Sequence, residues 1–486
     1  MTSSPENPAP FQGNDRLLFG IILGVLTFWL FAQTTLNIGP DMSADLGVDA
    51  SIMNIAVAAT ALFSGIFIVL IGGLADRLGR VRTVRAGFYL SIAGSLLVGL
   101  APGGRLASAF LLAGRALQGL SGACIMPASL ALVKAYWQGA ARERAVSLWS
   151  IGSWGGSGFC SLFGGLVAHN LGWRYIFFAS VAVALIGLLL IRGTPESRVE
   201  SHGRYKFDLA GVATFTVAMV ALQVVLTQGG KLGWTSLAVL VLSAVAIASG
   251  VVFARIERRT SAPFVDFTLF RNTTYTGATI SNFMLNGAAG TLIVSLQLVQ
   301  LAGDLSAQQA GMLTLGYAIA IVAFIRVGEK LLQRFGPRKP MIWGCAVTGL
   351  SIVLLMPTNT LLAHYKLLAI ASYTLYGLGL ALYATPSTDA ALSSLPDAQA
   401  GSGSGIYKMA SSLGAALGVA VSATLFTALS GQRMHWLEGV ITFHGRADNL
   451  AQREAALVAL AFNAMMVIVA IVSIALTVPA GRKQSA

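Results

Sequence analysis

The chain has 486 residues, of which 55% are apolar and only 10% are charged, and its mean hydropathy is +0.74. Soluble globular chains carry about 25% charged residues, and the apolar stretches here recur along the whole length, which excludes a soluble domain with one anchor. The net charge of +13 does not indicate nucleic-acid binding, because the basic residues form short clusters rather than one patch or stripe. The composition predicts an all-α integral membrane protein.

The apolar runs predict fourteen membrane-spanning helices, since one span needs about 20 mainly apolar residues. The first run follows a polar tail and is too long for the apolar core of a signal peptide, which has about 7–15 residues. The predicted helices lie near 17–38, 51–75, 83–101, 106–132, 145–168, 174–192, 207–228, 235–256, 274–299, 307–331, 340–357, 364–388, 401–428 and 455–478.

The basic residues are concentrated in every second predicted loop, which sets the predicted orientation. Cytoplasmic loops carry the excess of Lys and Arg in inner-membrane proteins, and the loop after the second helix has four Arg between residues 77 and 85. The first loop on the other side has three Asp and no cation, whereas the loop 430–454 departs from the pattern with three Arg offset by acidic residues. We predict a multi-pass protein of the bacterial inner (cytoplasmic) membrane with both termini in the cytoplasm.

Two short strings recur at nearly the same displacement, which indicates an internal repeat. DRLG at residues 76–79 reappears as QRFG at 333–336, and RALQG at 115–119 is echoed by YTLYG at 373–377. Parallel repeats of six helices form the halves of some secondary transporters. We therefore predict a cytoplasmic tail, a six-helix bundle, an inserted helix pair, a second six-helix bundle and a short cytoplasmic tail, at residues 1–16, 17–195, 207–256, 274–478 and 479–486 in that order.

The string GGLADRLGRVR at residues 72–82 lies between the second and third predicted helices. A carboxylate among cations at a helix–loop–helix junction can pair with those cations and with helix ends. The string resembles the loop signature of the major facilitator superfamily, G-x-L-a-D-r-x-G-r-k. The resemblance implies a latch, a contact that holds two helix bundles together on one face, formed by Asp76, Arg77, Gly79 and Arg80.

A second string, LLAGRALQG at residues 111–119, lies inside the fourth predicted helix and resembles the span-four motif of the same superfamily. A charged side chain at the centre of a bilayer costs at least ~2.5–3.5 kcal/mol on insertion scales, so Arg115 is expected to face the protein interior. The resemblance implies that Arg115 takes part in proton coupling. A purely structural hydrogen bond between helices is the alternative.

Further strings are similar to landmarks of the fourteen-helix drug:proton antiporters of this superfamily. They are GWRYIF at the start of the sixth predicted helix and DLAG, GWT and APFV around the inserted pair, at residues 172–177, 208–211, 233–235 and 262–265. The resemblance covers essentially the whole chain. It implies a proton-coupled antiporter that exports small amphipathic organic compounds, as multidrug exporters do, by alternating access of a site between the two halves.

Two positions depart from the antiporter pattern. The span-five motif g-x-x-x-G-P-x-x-G-G appears as GSGFCSLFGG at residues 156–165, so Cys160 and Ser161 replace Gly-Pro and remove a kink-forming proline. The outer glycines remain and still permit close helix packing. In the first helix, Gln33 stands where the exporters usually carry Asp. These departures leave an importer or symporter of a small organic anion open as the alternative function.

The polar and aromatic residues inside the predicted helices are the candidate site residues. The candidates for proton coupling are Arg115, Glu329 and Asp389. The candidates for the substrate cavity are Gln33, Gln118, Trp154, Arg326, Tyr376 and Lys408. Two or three cations facing one cavity would favour anions there. Alternatively, Arg326 can pair with Glu329 one turn on, and Lys408 can extend to the membrane surface.

Other classes of protein are remote alternatives. The sequence has no HExxH string, no Ser/His/Asp grouping and no GxxxxGK[ST] loop, which argues against a membrane-embedded enzyme and a nucleotide-driven pump. Its three Cys are isolated in apolar segments and lack the spacing of a metal site or a disulfide framework. We predict no cofactor and no metal. The expected partners are a small organic substrate, protons and the lipid bilayer, and the protein is expected to function as a monomer.

Overall fold

The structure is a computed structural model of the chain. It describes all residues except 1–10, 200–207, 261–262, 264, 266, 302–304, 306, 360–361, 432–433, 435–441, 443–448 and 481–486. Most of the loop 430–454, whose charges depart from the basic-loop pattern, therefore lies outside the described residues.

The described residues form helices joined by turns, with no β-strand among them. We number the helices by the fourteen predicted positions, and a helix with a short internal break keeps one number. They are α1 (Asp15–Leu26 and Thr35–Leu46), α2 (Ala50–Leu78), α3 (Arg80–Gly99), α4 (Ala107–Tyr136), α5 (Gly139–Ser150 and Gly156–Asn170), α6 (Arg174–Leu190), α7 (Leu209–Leu232), α8 (Leu237–Glu257), α9 (Thr273–Gly287 and Gly290–Leu301), α10 (Ala307–Leu313 and Leu315–Phe335), α11 (Arg338–Leu355), α12 (Leu362–Ser394), α13 (Ala400–Leu429) and α14 (Leu450–Thr477).

Helices occupy all fourteen predicted positions, and most of them are apolar enough to cross a membrane. In the described part of the chain, eleven helices meet the length and composition of a span, and a twelfth does if the bent pair Leu162–Asn170 and Arg174–Leu190 counts as one. α3 is not among the eleven, because its first turns carry Arg80, Arg82 and Arg85. The predicted all-α membrane fold is confirmed, and the number of fourteen spans stays a prediction.

The helices form two bundles, α1–α6 and α9–α14, that meet along a boundary we call the seam. Across the seam α2 packs against α13, and α5 packs against α10 and α12. We call the face at which α1 begins and α14 ends the base, and the opposite face the far side. At the base, Arg338 at the start of α11 donates a hydrogen bond to the Ala475 carbonyl near the end of α14 at 2.6 Å.

The first helix is not the uninterrupted helix predicted over 17–38. A π-helical turn at Thr27–Ala32 widens it, and the α-helix resumes at Thr35 and continues to Leu46. The continuation of the helix from residue 39 to residue 46 was not predicted, because this segment includes two Asp and a Pro. A π-turn displaces backbone groups from their regular partners and is frequent at functional sites. α5 has a second π-turn, at Ile151–Gly155.

The inserted pair α7–α8 packs as a hairpin against the seam. α7 contacts both α2 and α13, and the Trp234 indole N–H after α7 donates to Thr424 Oγ1 of α13 at 2.8 Å. α8 lies on the outside, where apolar side chains such as Leu237 and Ile247 are exposed. Exposed apolar side chains on a continuous helix face are suited to contact with lipid.

Candidate functional site

Asp76 links the two bundles at the base. It lies near the end of α2 and is only 3% exposed. Its carboxylate accepts hydrogen bonds from the Arg80 guanidinium at 2.8 and 2.9 Å. From across the seam it accepts the backbone N–H groups of Gly401 at 2.9 Å and Ser402 at 3.1 Å, in the first turn of α13. The first N–H groups of a helix have no partner within the helix and favour an anion, so Asp76 caps α13.

Glycines permit this close approach of the two bundles. A Cβ atom on Gly72 would lie 2.5 Å from the carbonyl oxygen of Gly401, and one on Gly405 would lie 2.7 Å from that of Ile68. The backbones of α2 and α13 are therefore in direct contact. At the end of α2, Gly79 has a φ of 120°, which L side chains rarely adopt, and the chain turns there directly into α3.

Arg80 extends the contact along the base. Its guanidinium donates to Ser197 Oγ at 3.1 Å and to the Asp397 carbonyl oxygen, just before α13, at 2.6 Å. Arg77 is half-buried in the last turn of α2. The four residues of the predicted latch therefore lie at one helix junction, and two of them bond directly to the opposite bundle.

Lys134 makes a second contact across the seam. It lies near the end of α4, and its ammonium donates to the Leu392 carbonyl oxygen at 2.9 Å and to the Leu395 carbonyl oxygen, at the end of α12. The same ammonium lies 3.5 Å from the Asp397 carboxylate. Because a helix C-terminus carries partial negative charge, the cation stabilises the end of α12 from the opposite bundle.

An ion pair between Arg142 and Asp389 is the third contact across the seam. The Arg142 guanidinium at the start of α5 lies 3.0 Å from the Asp389 carboxylate of α12, and the two side chains are 14% and 1% exposed. Removal of one partner from a buried pair leaves an uncompensated charge. The neighbouring pair of Arg144 and Asp15, within the first bundle, is 2.7 Å long but 43% and 59% exposed.

Lys408 also contacts the opposite bundle. Its ammonium lies 4.3 Å from the ring centroid of Trp149 in α5 and 5.8 Å from that of Tyr407. Trp149 is fully buried, and its indole N–H donates to Ser129 Oγ at 2.9 Å. A cation over an aromatic face is stabilised by about 0.5–2 kcal/mol, more when desolvated. The four seam contacts together close the base, so the structure shows a base-closed conformation.

Arg115 lies inside the first bundle and is fully buried. Its Nη1 donates to the Ala32 carbonyl oxygen and to Gln118 Oε1, both at 2.7 Å, and its Nε donates to the Ala56 carbonyl oxygen at 3.3 Å. Arg115 therefore joins the π-turn of α1 to α2 and α4, as the structural alternative expects. Its Nη2 makes no hydrogen bond within the described part of the chain, and buried donors of this kind often bind water.

The remaining candidates for the substrate cavity do not form one cluster. Gln118 is 3% exposed and is bonded to Arg115. Gln33 is half-buried after the π-turn of α1, and Trp154 is half-buried in the π-turn of α5. Tyr376 of α12 is 1% exposed, with its ring centroid 5.9 Å from that of Tyr317 in α10. Of these four candidates, Gln118 is the one for which the structure shows a hydrogen bond to another candidate residue, Arg115.

Arg326 pairs with Glu329 on α10, as their spacing of three residues permits. Glu329 is 4% exposed and also accepts a hydrogen bond from Gln333 Nε2 at 3.4 Å. The Arg326 charge is therefore balanced locally. This pairing is one of the alternatives that the sequence left open.

Several residues of the closed base were not predicted as site residues. Lys134 and Arg142 belong to the basic clusters of the loops, and only that position pointed to them. Trp149 has no sequence signal that pairs it with a lysine in the other half. Glu196, after α6, accepts the backbone N–H groups of Val81 at 2.8 Å and Arg82 at 3.1 Å, and so caps α3.

Comparisons with known proteins assign the family. The family model described as Major Facilitator Superfamily matches residues 17–281 and 274–480. The chain is 45% identical over 469 residues to the quinolone resistance protein NorB of Staphylococcus aureus (strain COL), covering 96% of this chain and 97% of that protein. It is 48% identical over 420 residues to NorB of Staphylococcus aureus (strain MRSA252), covering 86% and 90%.

Solved structures of low identity share the fold. The proton:xylose symporter XylE, of the major facilitator superfamily, matches with a TM-score of 0.64 and 15% identity over 96% of this chain and 95% of that chain. A bacterial homologue of the iron transporter ferroportin, in an outward-facing state, matches with a TM-score of 0.61 and 11% identity over 95% and 98%.

The chain belongs to the major facilitator superfamily. It is a multi-pass membrane transporter and not an enzyme, as predicted, and its relatives among bacterial drug-resistance proteins agree with the predicted resemblance to drug exporters. The bacterial relatives indicate the plasma membrane as its location.

Proposed function

We propose that the protein is a proton-coupled antiporter that exports small amphipathic organic compounds, among them quinolones, and that it functions as a monomer. The identity to the quinolone resistance proteins over 96% of the chain supports the substrate class. The alternative is import of a small organic anion, which the Cys160-Ser161 replacement of Gly-Pro leaves open.

The contact of Asp76 with the first turn of α13 is the observation that carries the proposed mechanism. In alternating access, two halves rock about a site near the midplane. Here the base is closed by hydrogen bonds and ion pairs that involve few residues, so the bundles can separate when these contacts break. With the base on the cytoplasmic side, the described conformation is closed toward the cytoplasm.

In this proposal, the residues that couple transport to proton movement are Arg115, Glu329 and Asp389. Protonation of Asp389 would remove its charge from the pair with Arg142 across the seam, and would thus link proton binding to opening of the base. Glu329 holds a similar pair within α10. The unbonded Nη2 of Arg115 offers a place for a water molecule beside the broken helix α1.

Transport by purified protein in proteoliposomes tests this function. The proton gradient is imposed so that protons flow through the protein from its far side to its base. We expect a fluorescent quinolone to move in the opposite direction, from the base to the far side, against its own concentration gradient. Cationic, neutral and anionic compounds are compared in the same vesicles. Movement of an organic anion together with protons, and no movement of the quinolone, would replace the proposal by the alternative.

We predict that the base and both termini face the cytoplasm. Arg82 at the base has a side chain that is 70% exposed, and Arg105 is exposed at the far side. In a Cys160→Ser background, which removes the half-buried native thiol, Arg105→Cys should react with an impermeant maleimide in intact cells. Arg82→Cys should react only after the membrane is opened. Rapid reaction of Arg82→Cys in intact cells would contradict the predicted topology and show that the base faces the outside of the cell.

We predict that neutral and anionic compounds are better substrates than quaternary ammonium dyes. A desolvated cation must be paired, and Gln33 is neutral where related exporters carry Asp. Lys408→Gln should lower transport of anionic compounds about fivefold or more, because it removes a buried positive charge, whereas Arg326→Gln should have less effect since Glu329 already balances that charge. Gln33→Asp should admit ethidium. Strong ethidium efflux by the wild type, unchanged in Lys408→Gln, would contradict the prediction.

A further inference from the structure

The contact between Lys408 and Trp149 lies deeper in the seam than the other three contacts of the closed base. Lys408 is eight residues, or about 12 Å, beyond the start of α13, and Trp149 is ten residues beyond the start of α5. Asp76, Lys134 and Arg142 each lie within three residues of a helix end at the base. The Lys408 contact is therefore the one nearest the middle of the seam, where alternating access places the substrate.

The Lys408 ammonium has an aromatic partner and no anionic partner in the described part of the chain. Lys408 is 4% exposed, and its ammonium lies 4.3 Å from the centroid of the Trp149 ring. No hydrogen bond or ion pair joins this ammonium to any residue that the structure describes. An ammonium has three N–H donors, and a desolvated charge is costly unless an opposite charge pairs with it. The ring satisfies this cation only in part, so the site favours an anion.

Two hydroxyl groups flank Lys408 on the same face of α13. Ser404 precedes it by four residues and Ser411 follows it by three, and side chains with these spacings are neighbours on a helix. Ser404 is 1% exposed, and its Oγ makes no hydrogen bond within the described ranges of the chain. Ser411 Oγ instead accepts the Asn282 amide of α9 at 2.6 Å. A carboxylate can accept hydrogen bonds from the ammonium and from the Ser404 hydroxyl together.

Opening of the base separates the ring from the cation. Trp149 belongs to the first bundle, whereas Lys408 and Ser404 belong to the second. Trp149 is held within its own bundle, because its indole N–H donates to Ser129 Oγ of α4 at 2.9 Å. When the halves rock apart at the base, the ring therefore moves away with α4 and α5. The ammonium and the Ser404 hydroxyl then face the space that opens between the bundles, without the ring over the charge.

We propose that Lys408 and Ser404 bind the carboxylate of an amphipathic substrate in the base-open conformation, and that Trp149 replaces this carboxylate when the base closes. With the base closed, the burial of Lys408 leaves no room for both partners. The same cation thus takes the substrate from the base and gives it up as the bundles meet. This inference rests on the proposed export of amphipathic compounds, and it names the group by which they are held and the residue that displaces them.

Equilibrium binding of flumequine to the full-length protein in lipid nanodiscs tests the carboxylate site. Flumequine is a fluorescent quinolone with one carboxylate and no amine, and its methyl ester is the uncharged control. At pH 8, where the carboxylate is ionised, we expect Lys408→Met to weaken flumequine binding more than about tenfold, because the charge loses its partner. Lys408→Met should not weaken binding of the ester. Lys408→Arg keeps the charge and should weaken flumequine binding less than about threefold.

Trp149→Leu tests the exchange of partners. Leucine is apolar but has no π face, so the base-closed conformation loses its contact with the cation and the base-open conformation gains population. We expect flumequine binding to tighten about three- to tenfold, and Trp149→Leu to change it less than about twofold in a Lys408→Met background. Ser129→Ala is the matched control, since it removes the indole hydrogen bond and keeps the ring. Asp76→Asn keeps Trp149 and weakens the closed base elsewhere, so it should also tighten flumequine binding and decides the point if Trp149→Leu does not fold.

The outcomes separate this inference from the proposed function. If the wild type transports flumequine but Lys408→Met binds it as tightly as the wild type, Lys408 is not the partner of the carboxylate, and the proposed function stands. If Lys408→Met weakens flumequine binding while neither Trp149→Leu nor Asp76→Asn tightens it, the exchange with Trp149 is overturned. If the wild type neither binds nor transports flumequine or its ester, the proposed substrate class fails and the inference fails with it.

Discussion

Asp76→Asn is expected to reduce transport more than about tenfold at equal expression, because the base-closed conformation loses charge-assisted hydrogen bonds that contribute about 1.5–3 kcal/mol each. Asp76 accepts bonds from Arg80 and from the Gly401 and Ser402 N–H groups. Asparagine offers one acceptor oxygen without charge, so the cap on α13 and the pair with Arg80 are both weakened. The rate of substrate movement per mole of protein in proteoliposomes is the measurement.

The second half of the chain supplies the matched control. Gln333 stands at the corresponding position of α10, is exposed, and bonds only weakly to Glu329 at 3.4 Å. Gln333→Ala should change transport less than about twofold, as surface substitutions usually do. Equal losses in Asp76→Asn and Gln333→Ala would show that the latch is not confined to the α2–α13 side.

Asp76→Asn should also open the base. Val69 of α2 is fully buried and lies against Gly405 of α13, whose Cβ would be 3.0 Å from the Val69 Cα. Val69→Cys should react slowly with a polar maleimide supplied at the base and faster when Asp76→Asn is added. Unchanged reactivity together with lost transport would assign Asp76 a role other than the latch.

The positions of the helices could be predicted because each span leaves a local signal, an apolar run of about 20 residues. The latch junction could be predicted in part, since residues 72–82 are contiguous and resemble a known signature. The helix end that Asp76 caps could not be predicted, because its groups are the backbone N–H groups of Gly401 and Ser402, more than three hundred residues along the chain. Backbone groups carry no sequence signal of their own.

The breaks within helices and the long-range partners of charged residues were the features that the sequence predicted least well. The π-turn of α1 is specified by packing, including the bond from Arg115 to Ala32, rather than by a proline. Lys408 was assigned to a cavity because its helix is apolar, but the sequence could not show that Trp149 lies beside it. Long-range pairs form only once the two halves meet, and their register depends on the whole fold.

Neutralisation of either member of the Arg142 and Asp389 pair is expected to reduce transport more than about tenfold, because an unpaired buried charge costs about 3–5 kcal/mol. Such a cost disfavours the base-closed conformation by a factor of about 100 or more. Arg144→Gln is the matched control, since Arg144 lies two residues away and its pair with Asp15 is exposed. Exposed pairs contribute about 0–1 kcal/mol, so this variant should transport nearly as well as the wild type.

The double variant Arg142→Gln/Asp389→Asn distinguishes a latch from a proton site. Because neither buried charge remains, it should recover exchange of substrate down its gradient relative to either single variant, a non-additive result expected of contacting residues. If Asp389 also carries the proton, the double variant should still fail to respond to an imposed pH gradient, since no carboxylate is left at this place in the seam. Recovery of both exchange and pH-driven transport would leave Asp389 as a latch residue and move proton coupling to Glu329 or to the surroundings of Arg115.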